Sequence, residues 1–281
     1  MVETAAGAQV LCQTRGKKSE LVVGDRVLWS VTGDGGVIDS LQPRRNLLLR
    51  QDEWRSKSFA ANLDQILVLV AGEPVFSESQ LTRALIAASE AGIPTCVGLN
   101  KTDLPSAQTA RHRLQPYVDM GVTVVELSLK GDPEGSKSRL LQQLAHKVTL
   151  VLGPSGMGKS TLINLLLPHA AAQVGEISKA LNTGRHTTTS STWYWLGPER
   201  QGALIDSPGF QEFGLHQIAP ERLATLMPDY ARAMGQCRFY NCSHRHEPGC
   251  GVLAALERGE ISPSRHRIYQ DLFAELSSKK W

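Results

Sequence analysis

Nothing in this chain is apolar for long enough to cross a membrane. The longest apolar runs, such as residues 66–71, fall far below the roughly 18 residues that a span requires. The first residues, Met-Val-Glu-Thr-Ala-Ala-Gly, lack a basic segment followed by an apolar one, so no secretory signal is expected and the cytoplasm is the expected compartment. Cysteine is scarce, at five in 281 residues. In a reducing compartment a cluster of thiols points to a metal before a disulfide. A dominant charge sign is also missing: 30 Lys and Arg face 27 Asp and Glu, and a net +3 permits a nucleic-acid partner without demanding one. No internal repeat or low-complexity tract is present. What remains, 41% hydrophobic and 20% charged residues, describes a globular chain with room for one large domain and one or two small ones.

Residues 1–58 read as short strands at 8–13, 20–23, 26–31 and 36–41, punctuated by Gly24-Asp25 and a second glycine-rich turn, with a stop at Pro43. A compact all-β unit of small-barrel type is expected. Its basic residues, Arg15, Lys17, Lys18, Arg26, Arg44, Arg45, Arg50, Arg55 and Lys57, make either a solvated face or a surface for RNA phosphates. From Leu63 the pattern alternates: strands at 64–71, 94–99, 122–127, 148–152, 192–196 and 202–205, and helices at 80–91, 109–120, 137–146 and 162–167. Such alternation predicts an α/β fold, a parallel sheet with helices on both faces, over residues 59–215. Residues 216–281 are expected to be helical around one cysteine-rich loop.

The organising stretch follows the strand at 148–152: Gly153, Pro154, Ser155, Gly156, Met157, Gly158, Lys159, Ser160 and Thr161, then an amphipathic run. Strand, GxxxxGKS and helix in that order form a phosphate loop, whose N–H groups and helix dipole face the oligophosphate. Gly153 and Gly158 are expected to let the backbone approach it. Lys159 would reach the β/γ-phosphates, and the Ser160 hydroxyl would ligate Mg²⁺. Asn100, Lys101, Thr102 and Asp103 end another strand. A carboxylate there accepts from N1–H and N2–H₂ of guanine, a donor pair that adenine lacks. The Lys101 stem would cover the base, Asn100 would tie this loop to the phosphate loop, and Ser128, Leu129 and Lys130 would back the guanine.

A strand ending in Asp206-Ser-Pro-Gly209 supplies DxxG: Asp206 for Mg²⁺ through water, and the Gly209 N–H for the γ-phosphate. Phe210 stands where a water-orienting glutamine is common, so another group must do that work. His186 is the candidate, with Thr188 or Thr189 closing over Mg²⁺ and the γ-phosphate. The base-recognition motifs precede the phosphate loop, so the domain is expected to be circularly permuted around a short join near residues 146–148. Downstream, Cys237, Cys242, His244 and Cys250 suit a tetrahedral structural zinc, one per chain, with His246 as the other candidate for the fourth ligand. Cys12 and Cys96 read as core, and Trp193, Tyr194 and Trp195 as strand packing.

The chain resembles the ribosome small-subunit-dependent GTPase A family (RsgA/YjeQ-like). The likeness lies in the permuted motif order, the His186-Thr-Thr-Thr segment, residues 61–65 (Ala-Asn-Leu-Asp-Gln) and the Cys-His-Glu-Pro-Gly-Cys pattern ending at Cys250. It implies an N-terminal OB-fold (1–58), a permuted GTPase domain (59–215) and a C-terminal zinc domain (216–281). It also implies Mg²⁺ with GTP, and binding to the 30S ribosomal subunit and its 16S rRNA late in maturation, with hydrolysis to GDP stimulated by that subunit. A monomer is expected. Leu129 departs from the alanine commoner in the family.

Overall fold

The computed structural model describes residues 1–15, 21–33, 35–51, 56–168, 191–207, 213 and 215–278. Thirteen strands and seven α-helices are described below, together with one 3₁₀ helix. The larger sheet contains β8 (Gln65–Ala71), β9 (Thr95–Asn100), β10 (Thr123–Glu126), β11 (Val148–Leu152), β12 (Thr192–Trp195) and β13 (Ala203–Asp206). Its order is β10-β9-β8-β11-β13-β12, which places the phosphate-loop strand between β8 and β13. All seven residues of β8 are buried, which requires cover on both faces of the sheet. The core is the aliphatic interior of these strands: Ile66, Leu67, Leu69, Val97, Leu99, Leu150, Val151, Leu204 and Ile205.

One expectation of the sheet is corrected. Five strands are parallel, but β12 runs antiparallel to β13. Only residues 196–202 connect the two strands, and a parallel return needs a crossover of about a dozen residues or more. Trp193 and Trp195 meet edge to face at 5.2 Å on this edge strand, and the Trp195 indole N–H donates to Glu3.

The helices of this domain are α1 (Glu78–Glu90), α2 (Ser106–Asp119), α3 (Pro133–Leu144) and α4 (Lys159–Leu166). The first three begin earlier than hydrophobic spacing predicts, and at α1 and α3 the reason is that polar caps and not apolar positions set the start, whereas α2 follows Pro105 with no side-chain cap. Ser77 accepts from the Gln80 N–H, and Asp132 from the Gly135 N–H with Pro133 in the first turn. Helix α3 ends at Leu144 and β11 begins at Val148, so the permuted join is short. The Asp64 carboxylate fixes it by accepting from the Val148 N–H at 2.8 Å.

The N-terminal strands are β1 (Val2–Glu3), β2 (Gln9–Val10), β3 (Cys12–Thr14), β4 (Val27–Thr32), β5 (Gly35–Leu41), β6 (Leu47–Gln51) and β7 (Ser56–Ala61). Sequence reading missed the β6–β7 pair, neither strand of which alternates polar and apolar residues. It also placed a strand at 20–23, where the only ladder contact among the described residues is a Val23–Ala60 bridge. Strand β7 runs through residue 58 to Ala61. The joint beyond it is built from side chains. Asn46 and Leu63 exchange amide bonds, Asn62 donates to the Gly24 carbonyl, and Arg45 pairs with Asp64.

The C-terminal unit comprises the 3₁₀ helix Pro220–Leu226, α5 (Pro228–Met234), α6 (Gly251–Glu257) and α7 (Pro263–Ser277). It is anchored to α1 and α2 by Arg265, which is 2% exposed. The guanidinium donates to both Asp229 oxygens and to Thr82 Oγ1, and lies 5.1 Å from the Tyr117 ring. Arg83–Glu275 and the bonds from Arg232 to the Asp119 and Met120 carbonyls widen the contact. No described helix is long and apolar enough to cross a membrane.

Candidate functional site

The phosphate loop leaves β11 and enters α4 through Gly158, whose φ of 104° is left-handed. Its lack of a side chain serves a neighbour first: a Cβ there would lie 2.3 Å from Asn100 Nδ2. Gly153 plays a similar part, since a Cβ would stand 3.0 Å from the Leu69 carbonyl oxygen. Both glycines let the loop close onto the ends of neighbouring strands, a packing role that the motif alone does not reveal. Met157 turns inward and is buried, while Ser155, Gly156 and Ser160 are exposed and Pro154 and Thr161 half-buried.

Asn100 ends β9 and is 3% exposed. Its Nδ2 donates to the Met157 carbonyl at 2.8 Å, and its Oδ1 accepts from the Leu129 N–H at 3.2 Å. One amide therefore ties together the phosphate loop, the base-recognition loop and the backing triplet. Thr102 donates twice to the Leu127 carbonyl, from N at 3.1 Å and from Oγ1 at 3.0 Å. The Ser128 hydroxyl donates to Asp103 Oδ1 at 2.6 Å and holds that carboxyl below the usual carboxylate range. Asp103 is thus an oriented, ionised acceptor, as a purine N–H pair requires. Lys101 adopts φ 62° and donates to the Glu73 carbonyl at 2.7 Å, and Lys130 is exposed.

Across the sheet, Lys159 Nζ bonds Asp206 Oδ1 at 2.5 Å and the Ser207 carbonyl at 2.9 Å. Ser207 Oγ in turn donates to the Val151 carbonyl at 3.1 Å, pinning the end of β13 to β11. The cation expected to reach phosphate and the carboxylate expected to serve Mg²⁺ therefore stand side by side at the mouth of the loop. His186, Thr187, Thr188, Thr189, Gly209 and Phe210 lie outside the described residues.

In the C-terminal unit, Cys237, Cys242, His244 and Cys250 place one ligand atom each within 4.8 Å of one another. Tetrahedral zinc with Zn–S of about 2.3 Å and Zn–N of about 2.0 Å requires edges of roughly 3.8 Å between sulfurs and roughly 3.5 Å between sulfur and nitrogen. His244 Nδ1 lies 3.5 Å from both Cys237 Sγ and Cys250 Sγ, and those sulfurs are 4.0 Å apart. The donor set fits zinc, and His244 faces it while His246 is exposed. Burial pushes the Cys242 thiol up to about 12 and raises Cys250 as well, so a divalent cation is what would make thiolates of them. The Gly251 and Leu253 N–H groups point at Cys237 and Cys250 and stabilise charge there.

Glu247 supports the loop from behind, a role that sequence reading missed. Its carboxylate accepts from Ser243 N and Oγ and from the Arg245 and His246 N–H groups. Burial works to raise this carboxyl, but those bonds outweigh it and hold it well below the usual range.

Several basic residues of the N-terminal unit are already engaged. Arg44 makes a bidentate pair with Asp25, Arg45 reaches Asp64, and Arg15 reaches Asp39. Lys17, Lys18 and Arg55 lie outside the described residues.

A central β11 feeding a phosphate loop, flanked by a Lys–Asp pair on one side and an Asn-Lys-x-Asp loop on the other, defines a P-loop GTPase domain with circularly permuted motifs. Residues 41–216 match the family described as RsgA GTPase. The chain is 57% identical, over 100% of its length and 90% of the relative's, to a small ribosomal subunit biogenesis GTPase RsgA from Variovorax paradoxus. It is 52% identical, over 96% of its length and 86% of the relative's, to the protein of that name from Burkholderia pseudomallei. Among solved structures, YjeQ from Thermotoga maritima superposes with a TM-score of 0.74 at 29% identity, covering 98% of this chain and 93% of that one. YloQ, described as a circularly permuted GTPase, gives 0.73 at 25% identity, covering 98% and 88%. The chain belongs to the RsgA GTPase family.

Proposed function

We propose that this chain binds the 30S ribosomal subunit, through its 16S rRNA, and hydrolyses GTP to GDP and phosphate as a late checkpoint of subunit maturation. The observation that carries the nucleotide part is the Asn100 amide, which couples the base loop to the phosphate loop across β9 and β11. With Asp103 oriented by Ser128, guanine is the base that fits. In this reading residues 100–103 and 128–130 hold guanine, and residues 153–161 cradle the phosphates. Lys159 neutralises β/γ-phosphate charge, while Ser160 and Asp206 would hold the Mg²⁺ that screens the developing charge. Gly209 donates to the γ-phosphate, Thr188 or Thr189 closes the site, and His186 positions the attacking water in place of Phe210.

The subunit part rests on the names of the relatives. The three-unit division belongs to the same proposal: an OB-like RNA-binding unit, best ended after Ala61 because β7 runs that far, then the GTPase domain to 215 and the zinc unit from 216. So do the cytoplasmic location and the monomeric state. The test is GTP turnover by the full chain while purified 30S subunits are titrated. A saturable rise in turnover is expected, and a flat response overturns the reading.

A further inference from the structure

The loop between the first two metal ligands carries a feature that neither nucleotide chemistry nor zinc ligation uses. Cys237 and Cys242 enclose Arg238, Phe239, Tyr240 and Asn241 in a tight turn. Its ends are tied by the Cys242 N–H bonding the Phe239 carbonyl at 3.3 Å and the Arg238 N–H bonding the Gly249 carbonyl at 2.9 Å. At the tip, Tyr240 is 103% exposed relative to the free residue, and Phe239 beside it is 41% exposed. The Arg238 guanidinium lies 5.4 Å from the Phe239 ring centroid. Scattered exposed apolar residues are ordinary, but here two adjacent rings project from a polar turn whose ends are metal ligands.

We propose that Tyr240, flanked by Phe239 and Arg238, is a stacking platform for an unpaired base of an RNA strand. The proposal rests on the small-subunit reading above and names a contact within it. Two physical points favour RNA over a protein partner, and a third strengthens the contact. A protein-docking patch wants contiguous apolar area, whereas these two rings stand between Arg238 and Asn241 in a turn whose loop continues into exposed Arg245 and His246. Aromatic faces joined to arginines match bases joined to phosphates. A turn tied to metal ligands at both ends loses little freedom on binding, so the stack keeps most of its intrinsic strength.

The test compares 30S affinity, with a non-hydrolysable GTP analogue at fixed salt, for the parent chain and for Tyr240→Ala, Tyr240→Phe and Tyr240→Leu. Alanine should weaken binding roughly 5- to 150-fold, the range that loss of one stacked base produces. Phenylalanine should restore it, and leucine should not, because an apolar protein pocket would accept leucine but a base stack needs a ring. Zinc content and GTP affinity should stay at parent values in all three, which shows that the unit remains folded. The salt slope should be unchanged by Tyr240→Ala and reduced by about one in Arg238→Gln. Parent-like binding by Tyr240→Ala overturns the stack while leaving the small-subunit reading intact, as does full rescue by leucine. Failure of the parent itself to bind 30S overturns that reading and the stack with it.

Discussion

Asn100 illustrates how much one buried amide does. Replacing it with alanine leaves the Met157 carbonyl and the Leu129 N–H without their partner in a buried site, where each orphaned group costs about 1–3 kcal/mol. Asn100→Ala should therefore weaken GTP binding at least tenfold and lower the stability of the domain, as read by nucleotide titration and denaturant unfolding. Asp103→Asn should instead move the base preference from guanine to xanthine, whose O2 would face the new amide donor. Tight GTP binding by that variant would remove Asp103 from base recognition. At Glu247 the folded carboxyl is held low, so its stabilisation is complete above the ordinary carboxylate range near pH ~4.3 and is lost as pH falls below it. Glu247→Gln should cost about 1 kcal/mol at neutral pH, and its deficit against the parent should shrink on acidification, as measured by thermal melts across pH.

Elements show where local signals succeed and fail. Strand–loop–helix at 148–167 is legible because apolar run, glycine loop and amphipathic run follow one another without interruption. Strands β6 and β7 are not, since neither alternates: three leucines in a row open β6 before two polar residues, and three polar residues open β7 before three apolar ones. The direction of β12 is not a property of its residues either; the length of the 196–202 connection sets it. Helix α7 is held by an ion pair that no periodicity announces. Arg265→Ala strands Asp229 in a buried site, and the expected loss is about 3–5 kcal/mol in urea unfolding. The double variant with Asp229→Ala should recover part of it, since the coupled pair is removed together.

At the scale of the whole molecule, the anchoring of the C-terminal unit on α1 and α2 bears on how nucleotide state would reach the ribosome. The chain leading from Asp206 into this unit invites the expectation that the unit swings when the γ-phosphate is lost. Arg265, Arg83 and Arg232 hold it to the GTPase domain instead, and Phe213 and Leu215 are buried in the shared core. A nucleotide-dependent change in 30S affinity would then be expressed with the zinc unit moving as part of the domain. Affinity for 30S should be higher with a GTP analogue than with GDP, and 30S should strengthen GTP binding by the same factor. Equal affinities would leave simple RNA binding. Chelation should remove about one zinc per chain and loosen residues 216–278 while sparing nucleotide binding, because the base and phosphate loops lie at strand ends that do not use those ligands.

Sequence alone determined the family and the candidate chemistry, because motifs for phosphate, guanine and metal depend on residue types at short spacing: the candidate stretches 153–161, 100–103 and 237–250 are each contiguous enough to read directly. Even the permutation was legible, as motif order is a one-dimensional property. What only the tertiary structure decided are relations between residues far apart in the chain. These are Asp64 closing the permuted join at Val148, Arg265 reaching Thr82, and the particular partners of Asn100, whose expected tie to the phosphate loop is made to the Met157 carbonyl while its other end accepts from the Leu129 N–H. Each depends on which surfaces the packed core brings into contact, and a buried polar group takes its partner from wherever packing places one.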